Sequence, residues 1–223
     1  MTNIQNQTSA IVASLDPEIT DRLVTSEPGL LSNSAVKLGV LASAPLILAL
    51  ASKEAFGAEL PAEIVDVLKF ALTLEHIEDA FYRSGLDAKG LIPAEYKDVF
   101  TNIGAHEAAH VAFLKTALGK DAFERPKLDL TAGGKYADAL TNFDTYLTLS
   151  QTFEDLGVAA YKGQAANLIA NDDILTAALQ IHSVEARHAA QVRRIGKKKS
   201  WDAAFDEPMS KEDVLAAAKP FLA

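Results

Sequence analysis

Two glutamates in this chain are each followed, about one helical hairpin later, by Glu-x-x-His. This duplicated spacing restricts the fold more tightly than any other feature. Glu75 precedes Glu107 by 32 residues and Glu154 precedes Glu185 by 31, and His110 and His188 complete the two pairs. Each leading glutamate also has a tyrosine seven residues on, Tyr82 and Tyr161. Random placement of 14 Glu and 5 His among 223 residues supplies only about 0.3 Glu-x-x-His pairs. One pair would mean little, but two in the same context point to an internal repeat.

The second pair shows why the pattern is helical. Ala178, Ile181, Glu185, His188, Val192 and Ile195 recur at alternating steps of three and four, the buried stripe of a packed helix. A carboxylate on such a stripe is costly unless something compensates it. A bound cation is one compensation, because carboxylate oxygen and imidazole nitrogen are both metal donors.

The same periodicity predicts helices over 62–83, 94–118, 135–170 and 172–195, with a last short one over 211–219. Pro61 opens the first. Gly85, Gly90 and Pro93 mark the turn after it, and 120–134 reads as a long connection. Asn171-Asp172-Asp173 caps the fourth helix and Ser210 the last. Aromatics are only 7% of the chain, and its Ala- and Leu-rich make-up favours helix over a β-sandwich. The expected fold is all-α: an antiparallel four-helix bundle built from two hairpins, with an extra N-terminal apolar helix and a short C-terminal helix. The expected division is an N-terminal arm and apolar segment over 1–58 and the bundle over 59–223.

Such a bundle brings Glu75, Glu107, His110, Glu154, Glu185 and His188 to its centre. One Glu from each of two helices plus Glu-x-x-His from each of the others is the ligand set of di-iron and di-manganese carboxylate proteins. Two divalent cations balance four carboxylates. The alternative is a pair of buried ion-pair networks, which four inward carboxylates make expensive. Glu78, one turn from Glu75, either turns inward as a seventh ligand or stays in water. Tyr82 and Tyr161 are either redox-active or hydrogen-bonded groups near the metals, or ordinary core tyrosines. His76, His106 and His182 lie beside the inner face. Trp201 is read as a packing residue.

On these residues the chain resembles the ferritin-like superfamily. More narrowly, 60–86 (LPAEIVDVLKFALTLEHIEDAFYRSGL) and 201–222 (WDAAFDEPMSKEDVLAAAKPFL) resemble the bacterial ferritin-like group related to plant desiccation-related proteins. The resemblance implies a bundle holding two Fe or Mn ions, with ferroxidases, rubrerythrin-like peroxidases and manganese catalases among its relatives. Many di-iron relatives carry Asp just before the Glu of Glu-x-x-His, orienting the opposite imidazole. Here His106 and Val184 stand there, and Asp79 and Asp155 are the candidates to replace that role.

Composition narrows the function further. Without cysteine there is no thiolate nucleophile, no Cys-ligated iron–sulfur cluster and no rubredoxin-type module. A net charge of −9 gives no general attraction for nucleic acid or anionic lipid. The basic run Arg193, Arg194, Lys197, Lys198 and Lys199 reads as cations at a helix C-terminus. The apolar run 36–51, interrupted by Pro45, is too short for a comfortable membrane span. It could pack on a second copy to give a homo-oligomer. It also has the length of a signal core, but no basic or twin-arginine leader precedes it, so a cytoplasmic location is expected, with export as the alternative. The leading function is an oxidoreductase acting on O2 or H2O2. The others are iron storage or detoxification, and a stress or interaction protein whose metal pair is structural.

Overall fold

The computed structural model describes residues 60–201 and 203–223, so the apolar run 36–51 and the N-terminal arm lie outside the described residues. Among the described residues five α-helices follow one another: α1 (Ala62–Asp87), α2 (Lys97–Leu118), α3 (Phe143–Gln164), α4 (Asp172–Ile195) and α5 (Lys211–Ala218). No strand occurs among the described residues, only an isolated bridge between Leu128 and Leu222. The all-α bundle is therefore as expected, and no described helix is long and apolar enough to cross a membrane.

The helices differ from the periodic reading most at three ends. Helix α1 runs a turn further, because Gly85 is not a stop but a packing contact. A Cβ there would lie 2.3 Å from the Tyr146 ring, so only glycine lets α3 come this close. Helix α3 begins at Phe143 rather than 135, since Asn142 accepts hydrogen bonds from the amides of Asp144 and Thr145, a side-chain cap that ends the preceding turn. That turn is wound around Asp129, whose carboxylate takes the Thr131 amide at 2.9 Å and the Gly133 amide at 2.7 Å. Gly133 and Gly134 follow with positive φ, a conformation glycine adopts without strain. At its other end α3 tightens into a 3-10 turn over Ala165–Leu168.

Helices α1 and α2 form one hairpin, and α3 and α4 the other. They pack antiparallel, since Tyr82 of α1 meets Glu154 of α3 while Tyr161 of α3 meets Glu75 of α1. Apolar burial divides into two clusters. One is aromatic, with Phe81, Tyr82, Phe100, Tyr146 and Phe153; the other is mostly aliphatic, with Ile64, Leu72, Leu114, Ile174 and Ile181. The acidic residues lie where one cluster gives way to the other: α2 passes from Ile103 through Glu107 and His110 to Phe113, and α4 from Ile181 through Glu185 and His188 to Val192.

The C-terminal segment is strapped along α3. The Met209 amide donates to Ala159 at 3.1 Å, and Gly163 leaves room for the Met209 carbonyl, which a Cβ would meet at 1.9 Å. Val214, Ala218 and Phe221 then complete the aromatic cluster. Trp201 does not pack; it is 73% exposed. The basic run does end a helix as expected, with Arg193 gripping Asp155 at 2.8 Å and Lys198 donating to Gln151 at 2.6 Å.

Candidate metal centre

All six residues that the sequence offers as metal ligands converge in the bundle. Glu75, Glu107, Glu154 and Glu185 have no exposed surface, and His110 and His188 are nearly as enclosed. Each imidazole turns Nδ1 into a ring of carboxylates. His110 Nδ1 lies 3.2 Å from Glu75, 3.1 Å from Glu107 and 3.0 Å from Glu185. His188 Nδ1 lies 3.0 Å from Glu107, 3.2 Å from Glu154 and 3.8 Å from Glu185. One Nδ1–H cannot serve three acceptors, so lone pairs are in excess of donors. Glu107 Oε1 and both oxygens of Glu185 are buried with no hydrogen-bond partner, although imidazole nitrogens lie near; the directions are wrong for donation. Leaving such oxygens bare costs several kcal/mol by the usual measure of an uncompensated buried charge, more than the ~2 kcal/mol one buried Leu or Phe contributes.

Two overlapping groups could each hold a metal: Glu75, Glu107, His110 and Glu185, and Glu107, Glu154, Glu185 and His188, with the ligand atoms of each group within 4.8 Å of one another. Glu107 and Glu185 belong to both. The oxygens left bare belong to these two shared residues, so the donor set fits a pair of cations better than it fits protons.

The outer glutamates are held from outside. Tyr161 donates to Glu75 Oε1 at 2.5 Å, and Tyr82 donates to Glu154 Oε1. Each tyrosine seven residues after a leading glutamate thus serves the leading glutamate of the other hairpin. Their other oxygens, Glu75 Oε2 and Glu154 Oε2, face the imidazoles. Burial and the adjoining carboxylates push both phenols well above their ordinary pKa, so they stay protonated donors.

Charge is divided unevenly in the metal-free cluster. Burial raises Glu75 to about 8, against the opposing pull of His110, and raises Glu154 well above the carboxylate range. Burial would raise Glu107 too, but His110 and His188 outweigh it and hold Glu107 below the usual range. Burial opposes charge on the imidazoles, yet the carboxylates win: His110 is well above its ordinary value and His188 is pushed up to about 12.

Residues 63–198 match the family model for the ferritin-like domain. This chain belongs to the ferritin-like domain family. Comparison with curated proteins finds no match. The matched stretch takes in nearly all of the four long helices of this ferritin-like chain and stops before α5.

The structure also shows where the two halves of this ferritin-like bundle differ. Glu78 turns inward and is buried; burial, then the neighbouring Glu185 and Glu75, raise it well above its ordinary range. Its counterpart in the second hairpin is Gly157, where a Cβ would lie 3.3 Å from Glu185 and 3.4 Å from Glu78. The repeat offset of 79 between Glu75 and Glu154 is the signal that pairs an extra acid with a missing side chain. Likewise His106 reaches His188, Nδ1 to Nε2 at 2.8 Å with the rings stacked, while its counterpart is Val184. Asp79 and Asp155 do not orient the imidazoles; they hold Arg83 at 2.5 Å and Arg193 at 2.8 Å instead. His76 is buried and lies 3.3 Å from the Phe123 carbonyl. His182 stands apart from the cluster, with Nε2 buried and unpartnered.

Proposed function

We propose that this protein is a dinuclear Fe or Mn carboxylate oxidoreductase acting on O2 or H2O2. The observation that carries this reading is the overlap of two four-residue donor groups in Glu107 and Glu185. Glu75 and His110 would hold one ion, Glu154 and His188 the other, and Glu107 and Glu185 would serve both. When bound, the pair would supply the change in oxidation state and the open coordination positions that reduction of O2 or H2O2 requires.

The chain's own groups support that chemistry. Tyr82 and Tyr161 each fix one oxygen of an outer glutamate and leave the other directed at the centre. Glu78, buried beside the cluster and pushed above the ordinary range by burial and the neighbouring carboxylates, is the group placed to supply a proton as oxygen is reduced. The two apolar clusters on either side exclude bulk water. The resemblance of 60–86 and 201–222 to the group related to plant desiccation-related proteins supports a role in oxidative or desiccation stress.

Metal analysis of protein isolated from its own host, followed by catalase and ferroxidase assays of the Mn and Fe forms, tests the reading. Two ions per chain with turnover of peroxide or O2 are expected. A metal-dependent melting shift without turnover would instead make the pair structural, and protein without metal at the cluster would refute both.

A further inference from the structure

An apolar cavity of about 20 Å3, the space open to the centre of a water-sized molecule, lies inside the bundle beside the cluster. All four long helices line it, with Ala71, Phe113, Ala160, Tyr161, Ala178 and Ile181 among the lining residues. Its position follows from helical spacing. Ala71 is one turn before Glu75, Ile181 one turn before Glu185, and Leu114, also in the lining, one turn after His110; a turn is about 5.4 Å of rise. Glu75 and His110 belong to the first donor group alone, and Glu185 to both.

The cavity is a difference between the two ends of the bundle, which the repeat makes equivalent. The repeat offsets place Phe81 opposite Ala160, Phe100 opposite Ala178 and Tyr146 opposite Val67, another lining residue. At the other end of the bundle those three rings pack together, Phe81 on Tyr146 at 4.6 Å and Phe100 on Tyr146 at 5.3 Å between centroids. Around the cavity the same three places hold two alanines and a valine, so the space remains.

The surface facing the cavity is entirely apolar. The Tyr161 hydroxyl is spent on Glu75 and the Gln164 amide oxygen accepts from Asn167 at 2.9 Å. Water needs two to four polar partners to settle in a cavity, and an apolar one of this kind stays dry. Hydrogen peroxide carries the same requirement. An apolar diatomic molecule does not, and the space is too small for an acyl chain.

We propose that this cavity is a binding site for O2, feeding the Glu75–His110 side of the cluster and not the Glu154–His188 side. The role of the bound O2 as oxidant rests on the proposed function; the site itself does not.

Xenon is the probe, since it shares O2's lack of polarity and has electrons enough to be located. Crystals of the metal-free full chain under xenon pressure are expected to show xenon among Ala71, Ala160 and Ala178. Ordered water there, or no xenon, overturns the site. Phe113→Ala should enlarge the cavity and raise xenon occupancy, which keeps the test sound if a filling variant fails to fold. Ala178→Phe, copying the counterpart half, should abolish xenon binding. In the Fe(II)-loaded protein it should slow reaction with O2 about tenfold and leave the reaction with H2O2 unchanged. Equal slowing with both oxidants, or with neither, overturns the O2 route. Wild-type protein that is loaded but inert to both oxidants would overturn the proposed function and the oxidant role, while xenon in the cavity would still establish the binding site.

Discussion

Glu75→Gln in the metal-free protein should flatten the dependence of stability on pH. Glu75 is raised from an ordinary 4.5 to about 8 by burial, with His110 opposing. A raised carboxyl contributes stability that is fully present below its unfolded pKa and lost as pH climbs through the folded one. Glu78, Glu154, His110 and His188 are raised as well and carry the same sign. Glu107 and Glu185 are lowered; their contribution is present above 4.5 and lost below, outside the window. Burial lowers His76, His106 and His182, which oppose the trend only below their ordinary 6.5. Between pH 5 and pH 8 the raised groups therefore destabilise the metal-free bundle as pH rises. The share of Glu75 across those three units, at about 1.36 kcal/mol per unit, is roughly 4 kcal/mol. No solvent screening reduces it, since Glu75 has no exposed surface. The amide keeps an oxygen for the Tyr161 hydroxyl, so shape and that hydrogen bond survive. The substitution also removes a carboxylate that raises His110, which flattens the profile further. Urea unfolding at pH 5 and pH 8, extrapolated to water, measures the difference. Wild-type protein and variant losing the same free energy over that interval would refute the reasoning.

His110→Ala and His188→Ala should each lower bound Fe or Mn well below two ions per chain, read by elemental analysis; two ions retained in both variants would remove these residues as ligands. Gly157→Ala gains about 1 kcal/mol of helix propensity but puts a methyl 3.3 Å from Glu185 and 3.4 Å from Glu78. The metal-free melting temperature should hold or rise while metal affinity falls, and unchanged affinity in a metal titration would show that the carboxylates yield freely. Gly85→Ala should instead destabilise by about 1–3 kcal/mol as an overpacked contact, because its Cβ would lie 2.3 Å from the Tyr146 ring; a raised melting temperature would contradict it. Stabilisation by Mn(II) or Fe(II) should be larger at about pH 7.5 than at about pH 5.5, because binding displaces protons; anaerobic melts showing equal shifts would count against a buried carboxylate site.

The helical faces and all six convergent residues were legible in the sequence because two independent constraints coincide there. Three-four periodicity marks Glu107, His110, Glu185 and His188 as inward, and the repeat supplies each with a partner. Helix ends were less legible. Periodicity continued through 135–142, and only the Asn142 side chain, capping two amides, decides where α3 starts. Gly85 reads as a breaker in isolation and as a packing contact only once Tyr146 is across from it. The inward turn of Glu78 was undecided from helical position alone, although Gly157 at the matching place in the other hairpin leaves the room. His106 could not be assigned to His188 from sequence, since that contact joins residues 82 apart.

Protonation in the cluster explains how one set of side chains can be sealed in a core with and without cations. In the metal-free state the imidazolium forms of His110 and His188 balance Glu107 and Glu185, while burial favours the protonated forms of Glu75, Glu78 and Glu154. That core is neutral but crowded, because two Nδ1–H groups face six carboxylate contacts and leave three buried oxygens bare. Two divalent cations would displace the imidazolium protons and the protons on Glu75 and Glu154. Four positive charges would replace four, the core would remain neutral, and the bare oxygens of Glu107 and Glu185 would gain partners. Neither hairpin can do this alone. Tyr82 serves Glu154, Tyr161 serves Glu75, and Glu107 and Glu185 each lie against the imidazole of the opposite hairpin at 3.0 Å. The centre therefore exists only at the seam between the two copies of the repeat, and whatever closes the hairpins on each other also assembles the ligands.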